Sequence, residues 1–132
     1  MKIFNKLLLS LLILTFCDLK SQYAEKYTYA QLDEIFAGYQ ENDERAMVFV
    51  SMYIAKAKKE QQSSKLIAGY DEATYYTGTV DKKIKYADSA VSVALQMRDA
   101  DLTAMSYLKR GIIYYYNKRD YRKALNEYLT AF

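Results

Sequence analysis

The chain has 132 residues, of which 52% are apolar, so it is large enough for one domain with a hydrophobic core. It contains no Pro and only four Gly, which disfavours an all-β fold because such folds need many turn residues. It also contains no His, the commonest general base and metal ligand, and its 19 basic and 16 acidic residues give a net charge of +3.

The N-terminal segment has the pattern of a secretory signal peptide. Lys2 and Lys6 precede a mostly apolar run, residues 7–16, and a polar stretch follows. The apolar run is shorter than the roughly 20 residues that a membrane-spanning helix needs. We therefore predict that residues 1–21 are a signal peptide, that residues 22–28 form a short lead, and that the chain is exported.

A minor alternative is lipoprotein processing at Cys17. Leu14, Thr15 and Phe16 before this cysteine resemble a lipobox, although Phe16 stands where a small residue is usual. Either form of processing leaves no free thiol in the mature chain, which excludes thiol catalysis. Residues 1–21 hold three lysines and one aspartate, so the remainder has a net charge of +1 and its composition does not point to nucleic acid.

Apolar residues at helical spacing predict six helices after residue 28. In chain order these are a helix from Tyr29 to Gly38, a helix capped by Asn42 or Asp43 that ends at Lys59, a helix capped by Ser63 or Ser64 and closed by Gly78, a helix starting at Thr79 or Asp81, a helix capped by Asp101 that runs from Leu102 to about Asn117, and a helix capped by Asp120. The fifth helix is expected to face inward through Met105, Leu108, Ile112 and Tyr115.

The second half of the chain repeats itself at an offset of 41 residues. At this offset Ile84 aligns with Leu125, and Ala90 aligns with Ala131. The spacing of aromatic and small residues after residue 120 is typical of a helix that packs closely against an antiparallel neighbour.

This hairpin resembles a tetratricopeptide repeat. The residues at the small and aromatic positions of that repeat are Gly111, Tyr114 or Tyr115, Ala124, Tyr128 and Ala131. The repeat's terminal Pro is absent, and the offset exceeds its usual length of about 34 residues, so the helices are longer than in the consensus. The resemblance implies an all-α fold of antiparallel helix hairpins stacked as a tetratricopeptide-like α-solenoid over residues 29–132, with about three hairpins, the last one incomplete.

The resemblance also implies a function, a non-enzymatic module that binds a peptide or protein in a concave groove lined by the first helix of each hairpin. The candidates for partner binding, chosen by position on the third and fifth helices, are Tyr70, Thr74, Tyr107 and Arg110. No metal and no cofactor is expected. The apolar side chains of Leu125, Tyr128, Leu129 and Phe132 on the last helix predict possible self-association.

A narrower resemblance provides the alternative function. The signal peptide, the tyrosine-rich repeats and the run from Tyr53 to Lys58 are similar to the periplasmic sensor region of bacterial membrane-spanning regulators with an AraC-type helix-turn-helix domain. Both hypotheses place the chain on the periplasmic side of a bacterial inner membrane. It would be tethered there, if at all, by a later segment or by lipidated Cys17.

Two kinds of charged cluster are interpreted as structural. The acidic pairs Asp33-Glu34 and Asp71-Glu72 are assigned to solvated helix faces, because neighbouring helical residues point roughly 100° apart and cannot converge on one substrate. The basic residues at 82–85 and 118–123 are assigned to helix ends, so we expect no direct contact with nucleic acid.

Overall fold

The computed structural model describes residues 26–132, which form six α-helices and confirm the predicted all-α class. The helices are α1 (Tyr29–Ala37), α2 (Met47–Lys59), α3 (Ser63–Tyr76), α4 (Val80–Met97), α5 (Ala100–Ile113) and α6 (Tyr121–Ala131). A 3₁₀ turn, Glu44–Ala46, leads into α2, and a π-helical turn, Tyr114–Lys118, extends α5. The predicted signal peptide and Cys17 lie outside the described residues.

Each helix packs mainly against the helices that precede and follow it in the chain. The contacts are most extensive between α3 and α4 and between α5 and α6. The main hydrophobic core joins the first three helices through Leu32, Phe36, Ala46, Val50, Tyr53, Ala73 and Tyr76. Within residues 26–132 no helix has both the length and the apolar character that crossing a membrane requires.

Several predicted helix ends are confirmed. The carboxylate of Asp120 accepts the backbone N–H of Lys123 at 3.1 Å and caps α6. The carboxylate of Asp43 accepts the backbone N–H of Arg45 at 3.1 Å and caps the 3₁₀ turn that leads into α2. Gly38 terminates α1, since its N–H bonds to carbonyls of the last turn. These polar residues satisfy backbone groups that have no partner inside the helix.

Two predicted caps are wrong. The cap of α5 is Asp99 rather than Asp101, because Arg98 adopts a left-handed conformation (φ 55°) that ends α4 and leaves Asp99 extended. The Asp99 carboxylate accepts the N–H of Leu102 at 2.9 Å. Ser63 begins α3 instead of capping it, and the side chain of Gln62 at the cap position makes no hydrogen bond to the first turn of the helix.

The predicted inward face of α5 is also wrong for most of its members. Met105, Ile112 and Tyr115 are 51%, 47% and 44% exposed, and Leu108 is half-buried. The buried residues of α5 are Ser106, Gly111 and Ile113. Two of these are small, so the neighbouring helices approach α5 on its small-residue face and leave the long apolar side chains outside.

Gly111 marks a close approach of α5 to α6. A methyl group at this position would lie 2.6 Å from Cε1 of Tyr128 and 3.1 Å from Cβ of Glu127. Ala124, one turn before Tyr128, is buried in the same contact region. The predicted pairing of small and aromatic residues between the last two helices is therefore present.

Candidate functional site: a groove at the ends of three helices

A groove of about 590 Å³ lies beside the C-terminal ends of α1, α3 and α5. The loop after α1 and the first turn of α4 complete its walls. The lining residues are Ala37, Tyr39, Glu41, Asp71, Glu72, Thr74, Tyr75, Tyr76, Lys83, Lys109, Ile112, Ile113 and Asn117. Its volume lies within the range of about 300–1,000 Å³ that is usual for binding sites.

One wall of the groove is held by hydrogen bonds between the α1–α2 loop and the end of α3. The buried Tyr76 hydroxyl donates to the carbonyl of Phe36 at 2.7 Å. The backbone N–H of Asn42 donates to the carbonyl of Tyr75 at 3.0 Å. These bonds fix the position of the loop that carries Tyr39 into the groove.

Lys83 at the edge of the groove is almost fully buried, at 5% exposure, and therefore does not belong to a solvated basic cluster. Its Nζ donates to the carbonyl of Thr74 at 2.7 Å and lies 3.8 Å from Oε1 of Glu41. Burial lowers the pKa of Lys83, and the negative charge of Glu41 opposes this shift. The ammonium group thus stabilises carbonyl groups in the last turn of α3.

The second lysine of the groove is also engaged. Lys109 on α5 forms an ion pair with the carboxylate of Asp71 on α3. Burial raises the pKa of Asp71 above its usual value, and the hydrogen bond and charge of Lys109 act in the opposite direction. Since both lysines have internal carboxylate or carbonyl partners, the groove offers no uncompensated cation from its own lining.

Glu72 is the carboxylate in the groove that has no hydrogen bond or ion pair. It is half-buried, and no such bond joins it to another residue in the range 26–132. Burial raises the pKa of Glu72, the negative charges of Asp33 and Asp71 raise it further, and the positive charge of Lys109 opposes this shift. Asp33 lies on α1 one turn before the groove residue Ala37 and does not itself line the groove.

Aromatic and aliphatic surface lies beside these carboxylates. Tyr75 and Ile112 are each 47% exposed, and Tyr39 is half-buried. The Tyr75 ring packs edge-to-face on Tyr76, with ring centroids 4.9 Å apart. The groove therefore combines exposed ring surface with negative charge, which suits a side chain that has an apolar stem and a cationic end.

Of the predicted site residues on α3, Thr74 lines the groove and Tyr70 does not. The Thr74 hydroxyl donates to the carbonyl of Asp71 at 2.7 Å. Tyr70 is half-buried, and its ring centroid lies 6.4 Å from that of Tyr86 on α4. Their part in partner binding stays a prediction.

The predicted site residues on α5, Tyr107 and Arg110, lie outside the groove. Arg110 donates to Asp88 on α4 at 2.8 Å and to Glu127 on α6 at 2.9 and 3.0 Å. Its guanidinium carbon is 5.2 Å from the centre of the Tyr107 ring. The arginine therefore joins three helices, and its role towards a partner also stays a prediction.

The sequence interpretation missed Glu72 and Ile112 as members of the groove. It assigned the two acidic pairs to solvated faces and placed Ile112 in the core. One signal was available, because Glu72 precedes the core residue Tyr76 by one helical turn and so lies close to the packed face. In the described part of the chain, no three His, Cys, Asp or Glu side chains are grouped to hold a metal ion.

Comparison of this chain with protein-family models, with curated proteins and with solved structures gives no significant match.

Proposed function

We propose that the chain is a non-enzymatic interaction module that binds a peptide or protein partner in the groove at the ends of α1, α3 and α5. The observation that carries this proposal is the composition of the groove. It joins exposed aromatic and aliphatic surface to partly buried charge, and these are features of recognition sites.

The proposed architecture is a tetratricopeptide-like α-solenoid. In this arrangement α1/α2, α3/α4 and α5/α6 are stacked hairpins, and the first helix of each hairpin lines the concave side. Two observations support it: contacts are concentrated between consecutive helices, and the groove takes most of its helical lining from the first helix of each pair.

The proposal of a non-enzymatic role is supported by the inventory of reactive groups. The chain has no His, and its one Cys lies in the proposed signal peptide. In the groove the carboxylate of Asp71 is paired with Lys109, and the ammonium of Lys83 is used by α3. The proposed export to the periplasm is supported by the basic and apolar pattern of residues 1–21.

The experiment that tests the proposal is a selection of phage-displayed random dodecapeptides on the purified full chain. Selected peptides are then measured on an Ala37→Trp variant, in which an indole would occupy part of the groove. Ala37 is exposed at the end of α1, so the larger side chain does not enter the core. We expect the variant to bind the selected peptides at least tenfold more weakly.

The matched control is Ala30→Trp, since Ala30 is an exposed alanine on the same helix and does not line the groove. Peptide binding should be unchanged in this variant. The proposal is contradicted if the selection gives no peptide that discriminates between the two variants while both keep the far-ultraviolet circular dichroism of the original chain.

A further inference from the structure

We infer that the groove takes a partner segment that presents a lysine or arginine side chain to the carboxylate of Glu72. This inference rests on the proposed function and names the chemistry of the partner. The cationic end would lie beside Glu72 on α3, and the stem of the side chain would lie against Tyr75.

The charges that line the groove favour a cationic partner. Both lysines that line it are engaged, Lys83 with carbonyls of α3 and Lys109 with Asp71. An acidic partner would therefore meet the carboxylate of Glu72, and the cations of the lining already have partners within the chain. Like charges brought together at an interface cost several kcal/mol, so the groove selects against acidic segments.

A cation in the groove would stabilise the ionised form of Glu72. Glu72 is half-buried and close to other carboxylates, which makes its ionised form unfavourable in the free chain. An ammonium or guanidinium group would relieve this repulsion and form charge-assisted hydrogen bonds, which are stronger than neutral ones. Partial burial also reduces the screening of this attraction by salt.

The groove suits a peptide side chain better than a bare metal ion. The described residues provide no group of three metal-ligating side chains at this place. They do provide a volume of about 590 Å³ with exposed surface on Tyr75 and Ile112. A lysine or arginine stem can cover such apolar surface, and its charge can also interact with a tyrosine ring.

The test compares the peptides selected on the full chain with those selected on a Glu72→Gln variant. The substitution keeps the size of the side chain and removes its charge. Peptides selected on the original chain should be enriched in Lys and Arg relative to the starting library, and the variant should bind them at least tenfold more weakly. Higher salt should weaken binding to the original chain more than binding to the variant.

The control is Glu34→Gln, because Glu34 is an exposed neighbour on α1 outside the groove lining. It removes one negative charge from the same helix and should leave peptide binding unchanged. The variant Glu72→Ala serves if Glu72→Gln is poorly folded, and it should lose binding in the same direction. An equal loss in Glu34→Gln would overturn the inference, since it would reflect the net charge of the chain.

The outcome separates this inference from the proposed function. Peptides that bind the original chain, lose binding in Ala37→Trp and show no preference for Lys or Arg would refute the inference and leave the groove as a binding site. Selection of acidic peptides that bind Glu72→Gln more tightly would refute it as well. Peptides that bind equally to Ala37→Trp would refute the proposed function itself.

Discussion

Replacing Gly111 by Ala tests the close packing of α5 against α6. The added methyl group would lie 2.6 Å from Cε1 and 2.9 Å from Cδ1 of the Tyr128 ring, and 3.1 Å from Cβ of Glu127. Carbon atoms in normal contact are about 3.5–4.0 Å apart, so α6 or the Tyr128 ring must move. Movement at Glu127 would also disturb its ion pair with Arg110.

Two opposing effects set the expected magnitude. Ala is favoured over Gly in the interior of a helix by about 1 kcal/mol, which would stabilise α5. Overpacking of a close contact costs about 1–3 kcal/mol, and loss of a partly exposed ion pair adds up to about 1 kcal/mol. Since the ring atoms lie about 1 Å inside normal contact, we expect the clash to dominate and Gly111→Ala to lower the free energy of unfolding by about 1–2 kcal/mol.

The assay is urea unfolding of the full chain followed by circular dichroism, with Gly38→Ala as the matched control. Gly38 has an ordinary helical conformation (φ −75°), and a methyl group there would meet only the carbonyl of Ile35 at 3.5 Å. Its variant should be at least as stable as the original chain. In a double-mutant cycle, Tyr128→Ala should reduce the cost of Gly111→Ala because the ring is gone. The reasoning is refuted if Gly111→Ala is as stable as Gly38→Ala.

The remaining predictions concern an ion pair, a helix end and the groove. Arg110→Met should lower the free energy of unfolding, measured with denaturant, by about 2 kcal/mol. The Glu127 carboxylate is only 15% exposed and would lose its cation. Arg98→Gly should raise the melting temperature, with a gain of about 0.5–1 kcal/mol, because glycine adopts the left-handed conformation at φ 55° without steric cost. Glu72 has a raised pKa in the folded chain, so the native state binds a proton more strongly than the unfolded state and stability should fall as pH rises from the usual glutamate pKa through the raised one. Glu72→Gln should reduce this fall in unfolding measured at several pH values, and Asp71, whose pKa is also raised, should account for the remainder. Glu34→Gln should retain the whole fall.

Each of these expectations has an outcome that contradicts it. Unchanged stability of Arg110→Met would mean that the ion pairs of Arg110 contribute nothing beyond exposed surface pairs. A lower melting temperature of Arg98→Gly would show that the arginine side chain contributes more than its strained backbone costs. A stability of Glu72→Gln that falls with pH as in the original chain would place the buried proton on another carboxylate, with Asp71 the first to examine.

The sequence by itself determined the elements of this fold. The 3.6-residue period of apolar side chains, together with the absence of Pro, predicts the six helices. Asp120 caps α6 as expected, and Asp43 caps the 3₁₀ turn that leads into α2. Capping depends on a hydrogen bond to a backbone group two or three residues away, so the local sequence is sufficient to predict a cap. Asp99 and Asp101 are two residues apart, and an aspartate at either position can cap a helix. Asp99 caps α5 because Arg98 adopts a left-handed conformation, which helix propensity does not predict.

Only the tertiary structure decided which charges are buried and which apolar residues remain exposed. Lys83 and Arg119 are both basic residues near helix ends. Lys83 is buried against the carbonyl of Thr74 because α4 turns back along α3, whereas Arg119 is exposed. Ile112 lies outside the core because Gly111 and its neighbours allow α6 to pack on the small-residue face of α5. Burial and long-range pairing depend on where helices that are distant in the sequence meet. The local periodicity of apolar residues does not determine where they meet.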